Sequence, residues 1–312
     1  MYTFLWPFSY IINYFFPQNK NPKDYNDLIY FDFETTGLSP IHDYTLQLSA
    51  VILPKTGIKD INTPISFDEY INPPKDIIIK NNDIHGITRE VLKNASSFDV
   101  VYTMFYDWIN SQFGDDKVYL VAHNCFSFDM RFLEVECKRN GLTIPENWIF
   151  IDSLVQFRKY NPDIECENYK LVTLYEWLKD ETTCIEGKLH NSLTDVKVLM
   201  FVYLKLSSKF TQKQIDSILK EGKCRIQYSP TYLELPISKF MTFDKSHIAL
   251  FKKYNINTIG SLSIVYSNEI KKAQQDEPID KPFYQFLSQM SMSFIMRREL
   301  TSKIKYIMYM CS

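Results

Sequence analysis

Apolar residues recur along this chain in two rhythms, alternating in short runs and spaced by three or four in longer ones. Leu-Ile-Tyr-Phe-Asp-Phe-Glu (28–34), Leu46 to Leu53 and Ile65 to Ile71 are short, apolar and bounded by Gly, Pro and Asn, which predicts three strands of an antiparallel meander. Phe98 to Phe113 and Phe128 to Lys138 carry the helical spacing, and the run Val118 to Ala122 between them reads as a buried strand. A further strand is predicted at Trp148 to Ile151, then helices at Leu154 to Lys159, Leu171 to Leu178 and Leu193 to Leu206. The order predicts the α/β class, a mixed sheet flanked by helices. After Lys209 the texture turns to alternating polar and apolar helical patterns, broken at Pro230 and Pro236.

These patterns divide the chain into an apolar segment with a polar linker (1–27), a central domain (28–209) and a mainly helical extension (210–312). At 312 residues and 45% hydrophobic, the chain is long enough for one substantial core and a second element. A net charge of −2 excludes recognition of a polyanion by the field of the whole molecule. Its distribution is uneven: residues 1–224 hold 23 Lys and Arg against 30 Asp and Glu, and residues 225–312 hold 12 against 7. Six scattered cysteines, without a C-x-x-C pair or zinc spacing, point to reduced thiols and an intracellular protein. The opening MYTFLWPFSYIINYFFP lacks a basic flank and a small-residue cleavage site. It reads as a segment packed on the domain, as a membrane or partner anchor, or as a signal peptide, and it is too short to span a bilayer.

Alternation along the first strand places Leu28, Tyr30, Asp32 and Glu34 on one side and Ile29, Phe31 and Phe33 on the other. Two like charges at the end of an apolar strand repel unless a cation compensates, so a metal site is one reading. The other is a pair of solvated acids beside the turn Thr35-Thr36-Gly37. Asp129, in VAHNCFSFDMRFL, begins a helix, where an acid can also serve only the helix dipole. Asp195, in LHNSLTDVKVLM, fits a capping box opened by Ser192 as well as a functional acid. His190, five residues earlier, is one of only five histidines and is either structural or poised over Asp195.

Together FDFETTGLSP, VAHNCFSFDMRFL and LHNSLTDVKVLM resemble, in order and spacing, the three motifs of the DnaQ-like DEDDh exonucleases. The segment YINPPKDIIIKNNDIHGITREVL is similar to that family's connecting segment, and WIFIDSL and NYKLVTLYEWL to the elements leading to its last motif. The resemblance spans about residues 28–207 and implies an RNase H-like fold with a five-stranded sheet. It implies that Asp32, Glu34, Asp129 and Asp195 bind two Mg²⁺ or Mn²⁺ ions and that His190 is the general base. A tyrosine-using branch would have Tyr where this chain has Asn191, so the resemblance is to the DEDDh branch. Asp129 lies six residues after His123, a spacing similar to the three-prime repair exonucleases, whose proline-rich insert is not evident here.

The implied activity is 3′ to 5′ hydrolysis of phosphodiester bonds at single-stranded or frayed 3′ ends of DNA or RNA, as in DNA repair, releasing 5′ mononucleotides. By the same resemblance Thr35 and Leu38 touch the terminal nucleotide; read from the residues alone, they are a turn residue and an ordinary buried leucine. Lys252, Lys253, Lys271, Lys272, Arg297 and Arg298 either guide the substrate backbone or form a solvated helix face. LFKKYNINTIGSLSIVYSNEI faintly resembles a helix-hairpin-helix element with Gly260 at its turn, which would bind phosphates through backbone amides. The alternatives are a proofreading subunit that docks a polymerase through the C-terminal region, or a non-catalytic nucleic-acid-binding scaffold.

Overall fold

The run Leu28 to Glu34 forms the first strand, β1 (Leu28–Thr35), at the centre of a mixed sheet ordered β3-β2-β1-β4-β5. The structure is a computed structural model, described for residues 28–52, 64–80, 82–181, 183, 185, 187–224, 230–241, 243–274, 278–290 and 292–312. The apolar N-terminal segment and its linker therefore lie outside the described residues. β2 (Thr45–Ile52) and β3 (Ile65–Tyr70) continue the sheet antiparallel on one side. On the other side β4 (Val118–Ala122) and β5 (Trp148–Asp152) run parallel to β1, which requires helical crossovers.

After the single turn α1 (Asn82–His85), those crossovers are α2 (Phe98–Phe113) and α3 (Asp129–Arg139). α4 (Ser153–Tyr160), α5 (Leu171–Leu178), α6 (Ser192–Ser207) and α7 (Gln212–Glu221) follow. In α2 the residues Phe98, Val101, Tyr102, Phe105, Ile109 and Phe113 are buried, a stripe at helical spacing, and Gly114 ends the helix at a φ of 57°. Phe105 is sealed between Phe67 at 5.2 Å and Trp148 at 5.6 Å, ring centre to ring centre. Burying a side chain of that size contributes on the order of 2 kcal/mol.

The register decides which helix each sheet face meets. Tyr30 lies opposite Val51 and Val121, and Val121 opposite Ile151; these four join Val196, Leu199 and Val202 of α6 in one cluster. The ring of Tyr30 meets Tyr203 edge-on at 5.5 Å. The opposite face presents Phe31, Ala50, Phe67 and Phe150, with α2 packed against Phe67.

The chain divides into two compact units at Arg225 and Ile226. Helix α7 belongs to the first unit: Ile215 and Ile218 are buried, and Lys223 exchanges two backbone bonds with Phe150 at 2.8 and 2.9 Å. The second unit holds α8 (Lys245–Lys253), α9 (Ile259–Ile270), α10 (Lys281–Gln289) and α11 (Phe294–Cys311). Its core includes Leu262, Phe283, Leu287, Leu300 and Ile304, and Asp280 accepts from Tyr266 Oη at 2.6 Å and Lys305 Nζ at 2.9 Å.

The helix-hairpin-helix expectation fails here. Gly260 sits inside the first turn of α9, where a Cβ would lie 3.0 Å from the Leu233 carbonyl oxygen. The amides expected to hold phosphate are already used, Ile259 donating to Leu235 O at 3.0 Å and Ser261 to Thr258 Oγ1 at 3.1 Å. Among the described residues Cys125, Cys137, Cys166, Cys224 and Cys311 are reduced cysteines outside any disulfide, and no helix is long and apolar enough to cross a membrane.

Candidate active site

The alternation that buries Leu28 and Tyr30 against α6 carries Asp32 and Glu34 onto the same face, at the end of β1. Asp195 lies in the first turn of α6, and one oxygen from each of Asp32, Glu34 and Asp195 falls within 4.8 Å of the others. A register shift between Glu34 and Thr35 ends the regular pairing with β2 at this point, as bulges beside sites often do. Asp129 opens α3, is 1% exposed, and accepts from the Phe33 amide at 3.3 Å through Oδ1. It stands just outside that trio yet close enough for its charge to act on Asp32 and Glu34.

Burial is the first reason these carboxyls resist ionisation, and for Asp32 and Glu34 repulsion from the neighbouring acids is the second. Asp32 is held well above the usual carboxylate range by burial, then by Asp129, Asp195 and Glu34. Glu34 is pushed up to about 8 by burial and by Asp195 and Asp129. Asp129 is raised by burial, against the pull of backbone amides, and Asp195 by burial, against His190. Such a group of acids is stable in ionised form only beside positive charge. Its donors are all carboxylate oxygens, which fit a hard divalent cation rather than zinc.

His190 is exposed and adopts a left-handed backbone at φ 65°. Its own amide donates to Asp195 at 3.2 and 3.4 Å, so the loop is tied to the first turn of α6. Gly187 permits this: its φ is +124°, and a Cβ there would lie 2.1 Å from Thr194 Oγ1. The capping expectation needs correction, because the N-cap is Asn191, whose side chain accepts from the Thr194 amide, and not Ser192. Ser192 is fully buried and donates its hydroxyl to the Asp32 carbonyl at 2.7 Å, joining α6 to β1 between the acids.

Several contacts escaped the sequence reading. Asn191 Nδ2 donates to Gln47 Oε1 at 3.4 Å, and Gln47 Nε2 to Asp68 Oδ1 at 2.8 Å, linking the His190 loop to β2 and β3. The available signal was Gln47 and Ser49, polar residues within a wholly buried strand. His123 is held between the Ser153 hydroxyl at 2.9 Å and the Tyr169 carbonyl at 2.8 Å. Since a carbonyl only accepts, Nε2 carries the proton and Nδ1 accepts; burial pushes this imidazole down to about 4, so it is neutral. Thr35 is buried and donates its hydroxyl to the Gly37 carbonyl at 2.6 Å. Leu38 is 79% exposed, not a buried leucine. Of the basic residues singled out, Lys272 pairs with Glu269 at 2.5 Å, Arg297 donates to the Tyr284 carbonyl at 3.4 Å, and Lys252, Lys253, Lys271 and Arg298 are exposed.

Comparison with known proteins gives this geometry its context. The RNase T family model, described as exonuclease, matches residues 29–203. The PolC-type DNA polymerase III of Caldanaerobacter subterraneus subsp. tengcongensis is 29% identical over 215 residues, 66% of this chain and 14% of that protein. Exonuclease DPD1, chloroplastic/mitochondrial, of Arabidopsis thaliana is 30% identical over 207 residues, 65% of this chain and 63% of that protein. The chain thus spans a small part of the polymerase and less than two thirds of the plant exonuclease. The nuclease domain of 3′hExo, a DEDDh family member solved with rAMP, shares the fold with a TM-score of 0.50 at 19% identity, over 65% of this chain and 98% of that one. The chain therefore belongs to the RNase T exonuclease family, and its five-stranded mixed sheet flanked by helices is the RNase H-like fold.

Proposed function

We propose that this chain is a metal-dependent exonuclease that removes nucleotides one at a time from unpaired 3′ ends of DNA or RNA and releases 5′ mononucleotides. The observation that carries the reading is the convergence of Asp32, Glu34 and Asp195, with Asp129 against them, in a place where burial and repulsion oppose their ionisation. In this reading the four acids hold two Mg²⁺ ions, Mn²⁺ being the substitute. Bound there, the cations supply charge relief on the phosphate and lower the cost of deprotonating water. His190 receives the proton of the attacking water at a ring nitrogen. Its exposed position leaves the ring open to substrate, while the hydrogen bond from its backbone amide to the Asp195 carboxylate keeps the loop beside the acids. Thr35 meets the 3′ hydroxyl through the backbone, and Leu38 lies on the face of the terminal base, a contact that tolerates any base.

The test incubates 3′ single-stranded DNA and RNA with the full chain and with Asp195→Ala, in Mg²⁺ or EDTA. Mononucleotides are expected from the wild type in Mg²⁺ alone; none from either polymer ends the proposal. His190→Ala is expected to lower kcat by about 10² to 10⁴ while KM holds.

A second reading is favoured by the PolC-type polymerase among the relatives. In it the chain proofreads for a polymerase, or serves as a nucleic-acid-binding scaffold, and docks its partner through residues 210–312. Retention of a polymerase by full-length chain carrying Asp195→Ala, but not by a chain ending at Cys224, would favour that reading.

A further inference from the structure

The loop that follows β1, residues 36–44, is built around a single guanidinium. Arg139, at the far end of the helix that Asp129 opens, donates through Nη1 to the Asp43 carbonyl at 2.7 Å. Through Nη2 it donates to the carbonyls of Pro40 at 2.9 Å and Ile41 at 2.6 Å. Its plane lies over the Tyr44 ring at 4.1 Å, and its charge faces Glu136 at 3.4 Å. Glu136 in turn accepts from the Thr45 amide at 3.0 Å, so one ion pair fixes both the loop and the start of β2.

The loop is also tied within itself. Asp43 accepts from the Ser39 amide at 2.9 Å and the Thr36 hydroxyl at 3.3 Å, and Thr36 and Tyr44 close the base with bonds of 2.8 and 3.0 Å. Gly37 is required by this packing, because a Cβ there would lie 2.5 Å from Asp43 Oδ2. What all this holds outward is Leu38, 79% exposed beside the carboxylate pocket's strand end. An apolar side chain kept in water on a braced loop gains nothing for folding.

We infer that Arg139 is a positioning residue for substrate: it presets the loop so that Leu38 meets the terminal base without a binding-time ordering cost. This rests on the Leu38 contact proposed above. Arg139 itself touches no substrate. A planar fork satisfies three carbonyls at once, which a lysine cannot reproduce.

The experiment measures kcat and KM of the full chain on a 3′ single-stranded oligonucleotide in Mg²⁺ for Arg139→Lys, Gly37→Ala, Leu38→Ala and each loop variant combined with Leu38→Ala. Arg139→Lys and Gly37→Ala are each expected to raise KM roughly tenfold with kcat changed less than about twofold, and to add less than about twofold once Leu38 is alanine. Gly37→Ala leaves the buried ion pair intact, so it carries the test if Arg139→Lys does not fold. Unchanged KM in both loop variants, or effects that multiply with Leu38→Ala, overturn the inference. If Leu38→Ala alone leaves KM unchanged, the Leu38 contact itself is wrong and the inference falls with it; if loop variants alone fail, the contact stands.

Discussion

Helix α3 buries an acid near each end, and the two are treated in opposite ways. Asp129, at the first turn, and Glu136, near the last, are 1% and 2% exposed. Burial raises the pKa of both. Glu136 then meets the Thr45 amide and hydroxyl and the Arg139 guanidinium, each of which lowers it again. Asp129 receives backbone amides alone, and its acidic neighbours oppose ionisation. Asp152 is buried as well, and its carboxylate collects backbone amides, those of Phe126 and Val155 at 3.0 and 3.2 Å. Burial of a carboxylate is therefore no mark of chemistry by itself; the absence of a fixed compensating cation beside several acids is.

Exchanging each acid for its amide breaks this comparison most sharply. Asp129→Asn is expected to lower exonuclease turnover by about 10³-fold or more, because several kcal/mol of charge relief is lost. The melting temperature in EDTA should stay level or rise, since the amide removes a charge that the site cannot hold. Glu136→Gln is expected to do the reverse, keeping turnover within a few-fold while destabilising the fold by about 3 kcal/mol, because Arg139 keeps its charge without an opposite one. Turnover assays and melting curves on both variants decide it, and matched losses of activity would erase the distinction.

The next effect is linkage between metal and protons. Glu34 rises to about 8 from an ordinary value of about 4.3, so between those pH values the folded, metal-free protein retains a proton that the unfolded chain has released. Its contribution to stability thus falls as pH rises through that window, and a divalent cation competes with the proton for the same oxygens. The gain in melting temperature from Mg²⁺ over EDTA should be small at pH 6 and larger at pH 8. Glu136→Gln should leave that increase in place and Asp129→Asn should remove most of it. A gain independent of pH would show that the acids are ionised without metal.

The periodic parts of this molecule were legible before the fold. Alternation along Leu28 to Glu34 placed Asp32 and Glu34 on one face, and the stripe from Phe98 to Phe113 gave α2 its length, because both patterns are local. What was hidden depends on partners distant in sequence. Asn191 meets Gln47 across 144 residues, and Arg139 reaches Ile41 across 98, neither with a local signature. The cap of α6 was misplaced by one residue because Asn191 and Ser192 both suit that role, and only the pull of the Asp32 carbonyl on the Ser192 hydroxyl separates them. Gly260 suggested a phosphate turn, but what it makes room for is Leu233.

That Ser192 hydroxyl supports the smallest of the expected effects and draws the line between a residue that assembles the pocket and one that acts in it. Its bond to the Asp32 carbonyl fastens the first turn of α6, and with it Asp195, to the strand that bears Asp32 and Glu34. A buried carbonyl losing this donor costs about 1 kcal/mol, or a fall in melting temperature of roughly 2–4 °C for a unit of this size. Because the backbone of both elements is also held by the core around Tyr30, Val196 and Leu199, the acids should keep their places. Ser192→Ala is therefore expected to melt earlier in EDTA yet keep turnover in saturating Mg²⁺ within about threefold. A loss of turnover as deep as that of Asp129→Asn, without a drop in melting temperature, would place the hydroxyl among the groups that do the chemistry and move the boundary of the site into α6 itself.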